Sequence, residues 1–257
     1  MKVFLMTDLE GICGVDSITM IGEETQGYHL AQQRLMEETN AAVEGAVKAG
    51  ADEILVFDGH GSGVNFIPGK LDPRATQVHS LSSEVLRGVQ AFLCVGCHAM
   101  AGTENAFLDH TQSSVRWFEY RINGQCCGEI GQDAIWCGAN NVPLVMVSGD
   151  QAACAEAAAL IPGVACAVVK TARGRNNAVS IPQETASQLV EQAAFEGIRR
   201  AEKITPYQIE LPAKVQLTLC RNDYCEEITQ GHPEYERNGR ILQKEVHSVH
   251  NFKDILF

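Results

Sequence analysis

The chain has 257 residues, 45% of them hydrophobic, which is enough apolar material for one large domain or for a domain with a smaller appendage. Its 20% of charged residues argues against disorder, and its net charge of −12 argues against nucleic acid as a partner, because an acidic surface repels phosphate. No apolar run approaches the roughly 18 residues of a membrane span, and the N-terminus lacks the pattern of a signal peptide, so we expect a cytoplasmic protein without a membrane partner.

Short apolar runs alternate with helical patterns along the first two thirds of the chain. The runs that predict buried strands are Val3–Met6, Ile54–Phe57, Phe92–Val95, Leu144–Val147 and Gly163–Val169. The helical patterns cover residues 29–49, 81–89, 129–139 and 151–160, with Gly50 ending the first and Asp150 capping the last. Because strands and helices alternate, we predict an α/β fold with a mostly parallel open sheet that helices cover on both faces.

Three later patterns predict further elements. The sequence pattern of residues 115–128 predicts an inserted β-hairpin, since Asn123-Gly124 accepts the positive φ angles of a type I′ turn. Ser180-Ile181-Pro182-Gln183 matches a capping box that opens a helix over residues 183–202. Lys214–Cys220 alternates polar and apolar residues, as a half-buried strand does.

The domain organisation is less clearly marked than the elements, because no linker composition separates two parts of the chain. We predict a larger α/β domain over residues 1–180 and a smaller C-terminal α/β domain over residues 181–257.

The ten cysteines do not predict disulfide bonds. Cys94, Cys154 and Cys166 lie in apolar or alanine-rich segments, as small buried hydrophobic residues do in a reducing compartment. Cys94 and Cys97 have the spacing of a redox or zinc-ribbon pair, but they end a strand and do not sit at a strand-to-helix turn. We expect all ten thiols to pack as apolar groups.

Residue types that bind metal ions follow the first three predicted strands. Asp8 and Glu10 come after the first strand, His60 after the second and His98 after the third. Ligands of open α/β sheets bind beyond the carboxyl ends of parallel strands, so these side chains should meet at one edge. Glu129 lies where the hairpin leads into the next helix and is a further candidate.

Three carboxylates and two imidazoles make a donor set that suits zinc and similar cations. Two divalent ions, with a bridging hydroxide, would leave such a site close to neutral, and a pair of metals can activate water and stabilise an oxyanion. The glycine-rich segment Gly59–Gly63 has neither the Walker lysine nor the dinucleotide-binding spacing, so no phosphate-binding pattern competes.

Each of these residues also has a structural interpretation. Asp8 can cap a loop, Glu10 can be a solvated charge, and a single histidine near a strand end is more often structural than a ligand. The recurrence at three successive strand ends is what favours a metal site. His247 and His250 are three apart in a predicted C-terminal helix, where a solvated helical face is favoured over a metal pair.

Several short motifs follow one another in a specific order. They are Thr7-Asp8-Leu9-Glu10-Gly11, Asp58-Gly59-His60-Gly61, Gly96-Cys97-His98-Ala99-Met100, Leu108-Asp109-His110-Thr111 and Asn123-Gly124 followed by Gly128-Glu129. This ordered set resembles the zinc-dependent D-aminopeptidase family of the bacterial dipeptide-operon type. The resemblance spans about residues 1–150 and continues more weakly through Val168-Val169-Lys170 to the C-terminus.

The resemblance implies a set of metal ligands and one catalytic histidine. The ligands of two zinc ions per chain fall on Asp8, Glu10, His60, His98 and Glu129, with Asp8 as the bridging ligand. The catalytic histidine falls on His110, either as a nucleophile or as a general acid/base. We favour acid/base catalysis, because a metal-activated water is already a competent nucleophile. The structural alternative is a hydrogen-bonded loop histidine.

The resemblance also implies a zinc metallopeptidase that removes the N-terminal residue of short peptides, with a preference for D-residues such as D-alanine, by means of a water activated by two zinc ions. It implies a homo-oligomer with its active sites in a central channel, a decamer of two stacked pentameric rings. Arg175, in a basic stretch with Arg173, would bind a substrate carboxylate, or the stretch is a solvated loop or a subunit contact.

Two other functions are compatible with the same residues. The chain could be a metal-dependent amidase or other C–N hydrolase of a small metabolite, which a panel of D-peptides, L-peptides and simple amides would separate from a peptidase. It could also be a non-catalytic metal-binding or ligand-binding α/β module, which would have no use for His110.

Overall fold

The computed structural model describes residues 1–22 and 25–257. Its strands, in chain order, are β1 (Lys2–Thr7), β2 (Glu53–Asp58), β3 (Ala75–Val78), β4 (Val89–Cys97), β5 (Trp117–Ile122), β6 (Gln125–Cys126), β7 (Leu144–Asp150), β8 (Ala165–Gly174), β9 (Asn177–Ser180), β10 (Ala213–Leu219), β11 (Glu236–Asn238) and β12 (Ile241–Val246). Its α-helices are α1 (Tyr28–Lys48), α2 (Glu129–Ala139), α3 (Gln151–Leu160), α4 (Gln183–Arg199) and α5 (Asn222–Thr229), and short 3₁₀ turns cover Ile18–Met20, Ala201–Lys203 and Phe252–Ile255.

The main sheet has the strand order β3-β2-β1-β4-β7-β8-β9. Its neighbouring strands are parallel except for β8 and β9, which form an antiparallel hairpin at one edge. β1, β4 and β7 are buried at nearly every position, as strands covered on both faces are. The predicted α/β fold with a mostly parallel sheet is confirmed. β3 and β9 were not predicted, because neither is a continuous apolar run.

β1 lies between β2 and β4, so the three predicted ligand-bearing strand ends are adjacent. Thr7, the last residue of β1, pairs with Asp58 at the end of β2 and with Val95 near the end of β4. Contacts continue past the strands, since Asp8 N donates to Val95 O and Gly59 N donates to Thr7 O, both at 2.8 Å. The segments that follow the three strands therefore leave the sheet side by side.

Helices pack on the main sheet in two pairs, α1 with α4 and α2 with α3. Trp136 of α2 is fully buried and meets the stacked rings of Phe4 and Phe92 edge-on, with its ring centroid 6.0 Å from each. Such aromatic contacts bury large apolar areas in a defined geometry, so they hold α2 against β1 and β4. Because Glu129 begins the same helix, this packing also positions its carboxylate.

A second, antiparallel sheet has the strand order β11-β12-β10-β5-β6. The predicted hairpin is present as β5 and β6, and Asn123 (φ 50°) and Gly124 (φ 81°) form its turn. The predicted half-buried strand is present as β10, which alternates buried and more exposed positions. Strands of this sheet come from both sides of residue 180, and the division into domains at that residue stays a prediction.

Two predicted helical features are wrong. Within residues 81–89, residues 83–88 form turns instead of a helix, and Gly88 (φ 77°) leads the chain directly into β4 at Val89. Ser180 does not cap α4, because it ends β9 and its hydroxyl instead donates to Asp16 Oδ1 and accepts from Gly14 N. The helix itself is confirmed, with Pro182 as the residue before its first turn.

The C-terminal histidines and the cysteines also differ from expectation. His247 and His250 follow β12 in irregular chain, so the predicted helical face is wrong. All ten cysteines are free thiols and most of them are buried or partly buried, but Cys126 and Cys166 are exposed. Burial alternates along the first part of β8, and Cys166 lies at one of its exposed positions. The short apolar run in the sequence does not predict this alternation. Along the described ranges, none of the helices combines the length and the apolar character needed to cross a bilayer.

Candidate metal centre

The loop after β1 carries Asp8 and Glu10 over the end of the main sheet. Glu10 is almost fully buried and Asp8 is partly buried. Lys170, which is fully buried in β8, donates from Nζ to the backbone oxygens of Glu10, at 2.8 Å, and of Val15. These hydrogen bonds to two backbone carbonyls fix the path of the loop beyond the carboxylates.

Two glycines let this loop touch the end of β4 through backbone atoms. A Cβ at Gly11 would lie 2.1 Å from Cys97 O, and a Cβ at Gly96 would lie 2.3 Å from Asp8 O. Gly96 also has a φ of 78°, which favours glycine. The loop that bears the carboxylates and the strand that leads to His98 are therefore in direct backbone contact.

His60 follows β2 in a turn that Asn65 stabilises by donating from Nδ2 to His60 O at 2.7 Å. Its Nε2 lies 3.2 Å from Ile21 O, and its Nδ1 lies 3.2 Å from Asp8 Oδ1 and 3.0 Å from Glu10 Oε2. Burial opposes protonation of His60, but the carboxylates of Glu10 and Asp8 outweigh it and raise the pKa of the imidazole to about 12. The three side chains thus form one compact charged group.

His98 comes directly after β4 and is buried, with its Nδ1 3.0 Å from Ala99 O. Its Nε2 lies 3.3 Å from Asp8 Oδ2 and 3.4 Å from Glu129 Oε1, yet this nitrogen makes no hydrogen bond. Burial opposes protonation of His98, but the Glu129 carboxylate outweighs it and raises the pKa of the imidazole well above its ordinary value. A buried nitrogen between two carboxylates, without a hydrogen bond, is an arrangement that suits a cation ligand.

His110 lies in the loop before β5, and its ring is stacked on that of His98. Its Nδ1 lies 2.7 Å from Leu108 O, and its Nε2 lies 3.7 Å from Glu129 Oε1. Leu108 has a φ of 50°, and its N–H donates to Arg175 O at 2.7 Å. The tip of the β8–β9 hairpin therefore supports the loop that carries His110.

The basic stretch at this tip is in contact with the candidate site. Arg173 and Arg175 are both exposed, and Arg175 Nε lies 3.3 Å from Asp109 Oδ1, next to His110. The contact explains how the stretch is held, but the binding of a substrate carboxylate by Arg175 stays a prediction.

Each of the three imidazoles has one ring nitrogen beside a backbone carbonyl oxygen and the other facing carboxylates. A carbonyl oxygen only accepts, so the nitrogen beside it carries the hydrogen and the other nitrogen is left to bind a cation or a proton. Asp8 lies between His60 and His98 with one oxygen toward each, as a bridging ligand would.

Two groups of side chains have ligand atoms within 4.8 Å of one another and could hold a metal ion. The first contains Asp8, Glu10 and His98, and the second contains His98, His110 and Glu129. His60 stands outside both groups, although its Nδ1 contacts both carboxylates of the first group. The six residues predicted from the sequence are therefore brought together, and their individual roles stay predictions.

A cavity of about 230 Å³ opens beside these side chains. Its apolar wall includes Phe57, Leu81, Ile130 and Phe252, and its carboxylates are those of Asp8, Glu129 and Asp133. Phe252 comes from the C-terminal tail, where Trp136 Nε1 donates to His250 O at 3.3 Å. A larger cavity of about 540 Å³ lies around Glu156 and does not include any of the six predicted residues.

Sequence reasoning did not single out Asp133 or Gln112. Asp133 lies four residues after Glu129, so helical spacing alone places both carboxylates on one side of α2. Gln112, whose N–H donates to Glu129 Oε1 at 2.7 Å, lies in an irregular loop and carries no comparable signal.

Comparisons with known proteins identify relatives of this chain. A D-aminopeptidase from Bacillus subtilis (strain 168) is 31% identical over 217 residues, covering 80% of this chain and 77% of that protein. The solved structure of a zinc-dependent D-aminopeptidase from Bacillus subtilis, described as a self-compartmentalizing protease, superposes with a TM-score of 0.91 at 24% identity. That match covers 99% of this chain and 94% of the other, and it shows the same fold. The sequence model of a family described as D-aminopeptidase matches residues 1–252, and the chain belongs to that family.

Proposed function

We propose that this protein is a metal-dependent aminopeptidase that releases the N-terminal residue of short peptides. One observation carries the proposal, which is the continuous chain of contacts between carboxylates and imidazoles at the end of the main sheet. In order, the contacts join Glu10, His60, Asp8, His98, Glu129 and His110. A hydrolase that activates water with metal ions needs such a donor set beside a cavity.

Two zinc ions would be held by Asp8, Glu10, His60, His98 and Glu129, with Asp8 as the shared ligand because it has one oxygen toward each of His60 and His98. The donor set fits zinc, because it combines imidazole nitrogen with carboxylate oxygen and because His98 Nε2 is buried without a hydrogen bond. Zinc, when bound, supplies a lowered pKa of water and polarisation of the scissile carbonyl. Each imidazole is already oriented by a backbone carbonyl, so little rearrangement is needed to bind.

His110 would move the proton. Its Nδ1 is fixed by Leu108 O, so Nε2 is the atom that accepts a proton and passes it to the leaving amine. Glu129 Oε1 lies 3.7 Å from that nitrogen and would hold the orientation of the ring. General acid/base catalysis fits this position, since Nδ1 is anchored, Nε2 is beside a carboxylate, and the side chain is partly exposed.

The preference for D-residues and the assembly rest on the relatives. The curated relative is named a D-aminopeptidase, and the structural neighbour is named a zinc-dependent, self-compartmentalizing one. We therefore propose D-residues, D-alanine first, as the released group, and a homo-oligomer that encloses its active sites, a decamer of two stacked pentameric rings, in the cytoplasm.

The test measures zinc per chain and the release of D-alanine from D-Ala-D-Ala by the purified protein. We expect about two zinc ions and release for the unaltered chain, and loss of both for Asp8→Ala. Asp223→Ala is the matched control, because Asp223 pairs with Arg221 on the surface of α5. Full zinc content and turnover in Asp8→Ala would contradict the proposal, and so would hydrolysis of simple amides alone.

A further inference from the structure

The carboxylate of Asp133 lies at the cavity but does not belong to the chain of contacts that joins Asp8, Glu10 and Glu129 to the imidazoles. Asp133 is on α2, four residues after Glu129, and its side chain lines the same cavity as Asp8 and Glu129. It is 6% exposed, so nearly all of the side chain is buried. Unlike Asp8 and Glu129, it does not contact any of the three imidazoles.

Asp133 has no cationic partner within the described part of the chain. Its one hydrogen bond is accepted by Oδ2 from the Cys94 thiol, a weak donor, at 3.4 Å. Burial raises the pKa of Asp133 well above its usual range, because a thiol does not replace the lost hydration of a carboxylate. A buried carboxyl group of this kind is costly to ionise unless a positively charged group comes beside it.

The rest of the cavity wall limits the size of what can bind. Phe57, Leu81, Ile130 and Phe252 give it an apolar side, and its volume is about 230 Å³. Pockets for drug-sized ligands are larger, at roughly 300–1,000 Å³. A small residue with a short apolar side chain and a positively charged group therefore matches the cavity in size and in chemistry.

We propose that Asp133 binds the free α-ammonium group of the substrate's N-terminal residue. The inference rests on the aminopeptidase function proposed above and adds the residue that makes the enzyme specific for the chain end. The ammonium group would donate to Oδ1, the oxygen that the Cys94 thiol does not occupy, while the side chain of the residue lies against the apolar wall.

The charge balance of the site explains why a separate carboxylate is needed. Two bound divalent cations would cancel the attraction that Asp8, Glu10 and Glu129 exert on an ammonium group. Asp133 would then be the uncompensated anion of the cavity. At the same place, an internal residue presents a neutral amide, which the carboxylate does not attract. The chain that precedes an internal residue also does not fit in a small cavity, so only the terminal residue is cut.

The test compares ligands that differ by the amino group alone. Zinc-loaded wild-type protein and the isosteric variant Asp133→Asn are titrated calorimetrically with D-alanine and with propionate, which lacks the amine. We expect Asp133→Asn to weaken D-alanine binding on the order of 10–100-fold, as for the loss of a charged hydrogen bond, and to leave propionate binding within about twofold. Turnover should show the same loss as a raised KM for D-Ala-D-Ala.

Glu156→Gln is the matched control. Glu156 is a partly buried carboxyl group, and burial raises its pKa to about 7. It lines the larger cavity and accepts a hydrogen bond from Met100 N. We expect it to leave the ratio of D-alanine to propionate binding unaltered.

Equal weakening of both ligands in Asp133→Asn would mean a structural role, and no weakening of either would mean that the ammonium binds elsewhere; both results overturn the inference. Because binding is measured without turnover, the aminopeptidase function can fail separately. Wild-type protein that binds D-alanine through Asp133 but releases nothing from any peptide would contradict the proposed function and support this site.

Discussion

The imidazole rings of His98 and His110 lie stacked, with their centroids 3.9 Å apart and their planes 10° apart. Both present Nε2 to the same oxygen of Glu129, at 3.4 Å and 3.7 Å. Their surroundings differ, because His98 also contacts Asp8 and is almost fully buried, whereas His110 lies farther from the other carboxylates and is more exposed. The two rings therefore differ in their carboxylate neighbours, which is the basis for proposing His98 as a metal ligand and His110 as the acid/base group.

Replacing His110 by Gln should abolish most turnover without removing zinc. The proposed proton transfer from Nε2 is lost, and general acid/base groups contribute roughly 10²–10⁴-fold to a rate. We expect kcat for D-Ala-D-Ala to fall in that range while zinc content per chain stays at the wild-type value. The measurements are steady-state kinetics and metal analysis of the same preparation.

His98→Gln is the matched comparison, because the two rings are stacked and differ in their proposed role. It should lose zinc as well as turnover, since His98 Nε2 is the buried nitrogen between two carboxylates. If His110→Gln also loses zinc, His110 is a ligand and its proposed catalytic role is wrong.

Replacing Gly11 by Ala should disrupt the contact between the carboxylate loop and β4. The added Cβ would lie 2.1 Å from Cys97 O and 2.4 Å from Gly96 C, so the backbone must separate. We expect the free energy of unfolding to fall by about 3 kcal/mol, as for severe overpacking, together with weaker zinc binding. Urea unfolding and zinc titration measure the two effects.

Gly239→Ala is the comparison for the Gly11 variant. Gly239 has a φ of 60° and open space around it, so the substitution brings backbone strain of about 1 kcal/mol without a collision. An equal loss of stability in both variants would show that close approach is not what Gly11 provides.

The sequence predicted the part of the site that lies at strand ends. Asp8, His60 and His98 follow apolar runs, and parallel strands place their carboxyl ends at one edge of the sheet. These side chains could therefore be predicted to lie close together from the apolar runs, provided that β2, β1 and β4 are adjacent strands. The adjacency itself was assumed, because strand order is a long-range property that no local pattern contains.

The supporting interactions could not be predicted from local patterns. Lys170 reaches Glu10 O across 160 positions of sequence, and Ser180 bonds Asp16 instead of capping the helix that follows it. The loop that holds His110 contains Leu108 and Gln112 with positive φ, a conformation that neither residue type predicts. In each case a tertiary contact determines the conformation, and local propensity does not.

Replacing Lys170 by Met should weaken zinc binding although Lys170 is not a ligand. Its Nζ satisfies two buried carbonyls, Glu10 O and Val15 O, and each buried acceptor left without a donor costs about 1–3 kcal/mol. We expect the free energy of unfolding to fall by about 3 kcal/mol and zinc affinity to decrease, because the loop that bears Asp8 and Glu10 is no longer held. Lys214→Met, at an exposed position of β10, should change neither quantity.

Replacing Glu38 by Gln should change how stability depends on pH. Glu38 is fully buried in α1, and burial raises the pKa of its carboxyl group from 4.5 to about 7. Its Oε1 accepts from Cys13 N at 2.7 Å and its Oε2 has no hydrogen bond, so the neutral acid fits the site better than the carboxylate does. The folded state therefore holds this proton more tightly than the unfolded state, and its contribution to stability is complete below about pH 4.5 and is lost as the pH rises through 7.

The amide of Gln resembles the protonated acid and does not titrate. Relative to wild type, Glu38→Gln should therefore gain stability between pH 4.5 and pH 8, by at most about 3 kcal/mol for a shift of this size. Urea unfolding of both proteins across this range gives the difference at each pH, and effects common to the two proteins, such as loss of zinc in acid, cancel. A difference that stays constant with pH, or that turns against the variant as the pH rises, would show that Glu38 is ionised in the folded protein throughout, with the buried Lys170 ammonium as its counter-charge.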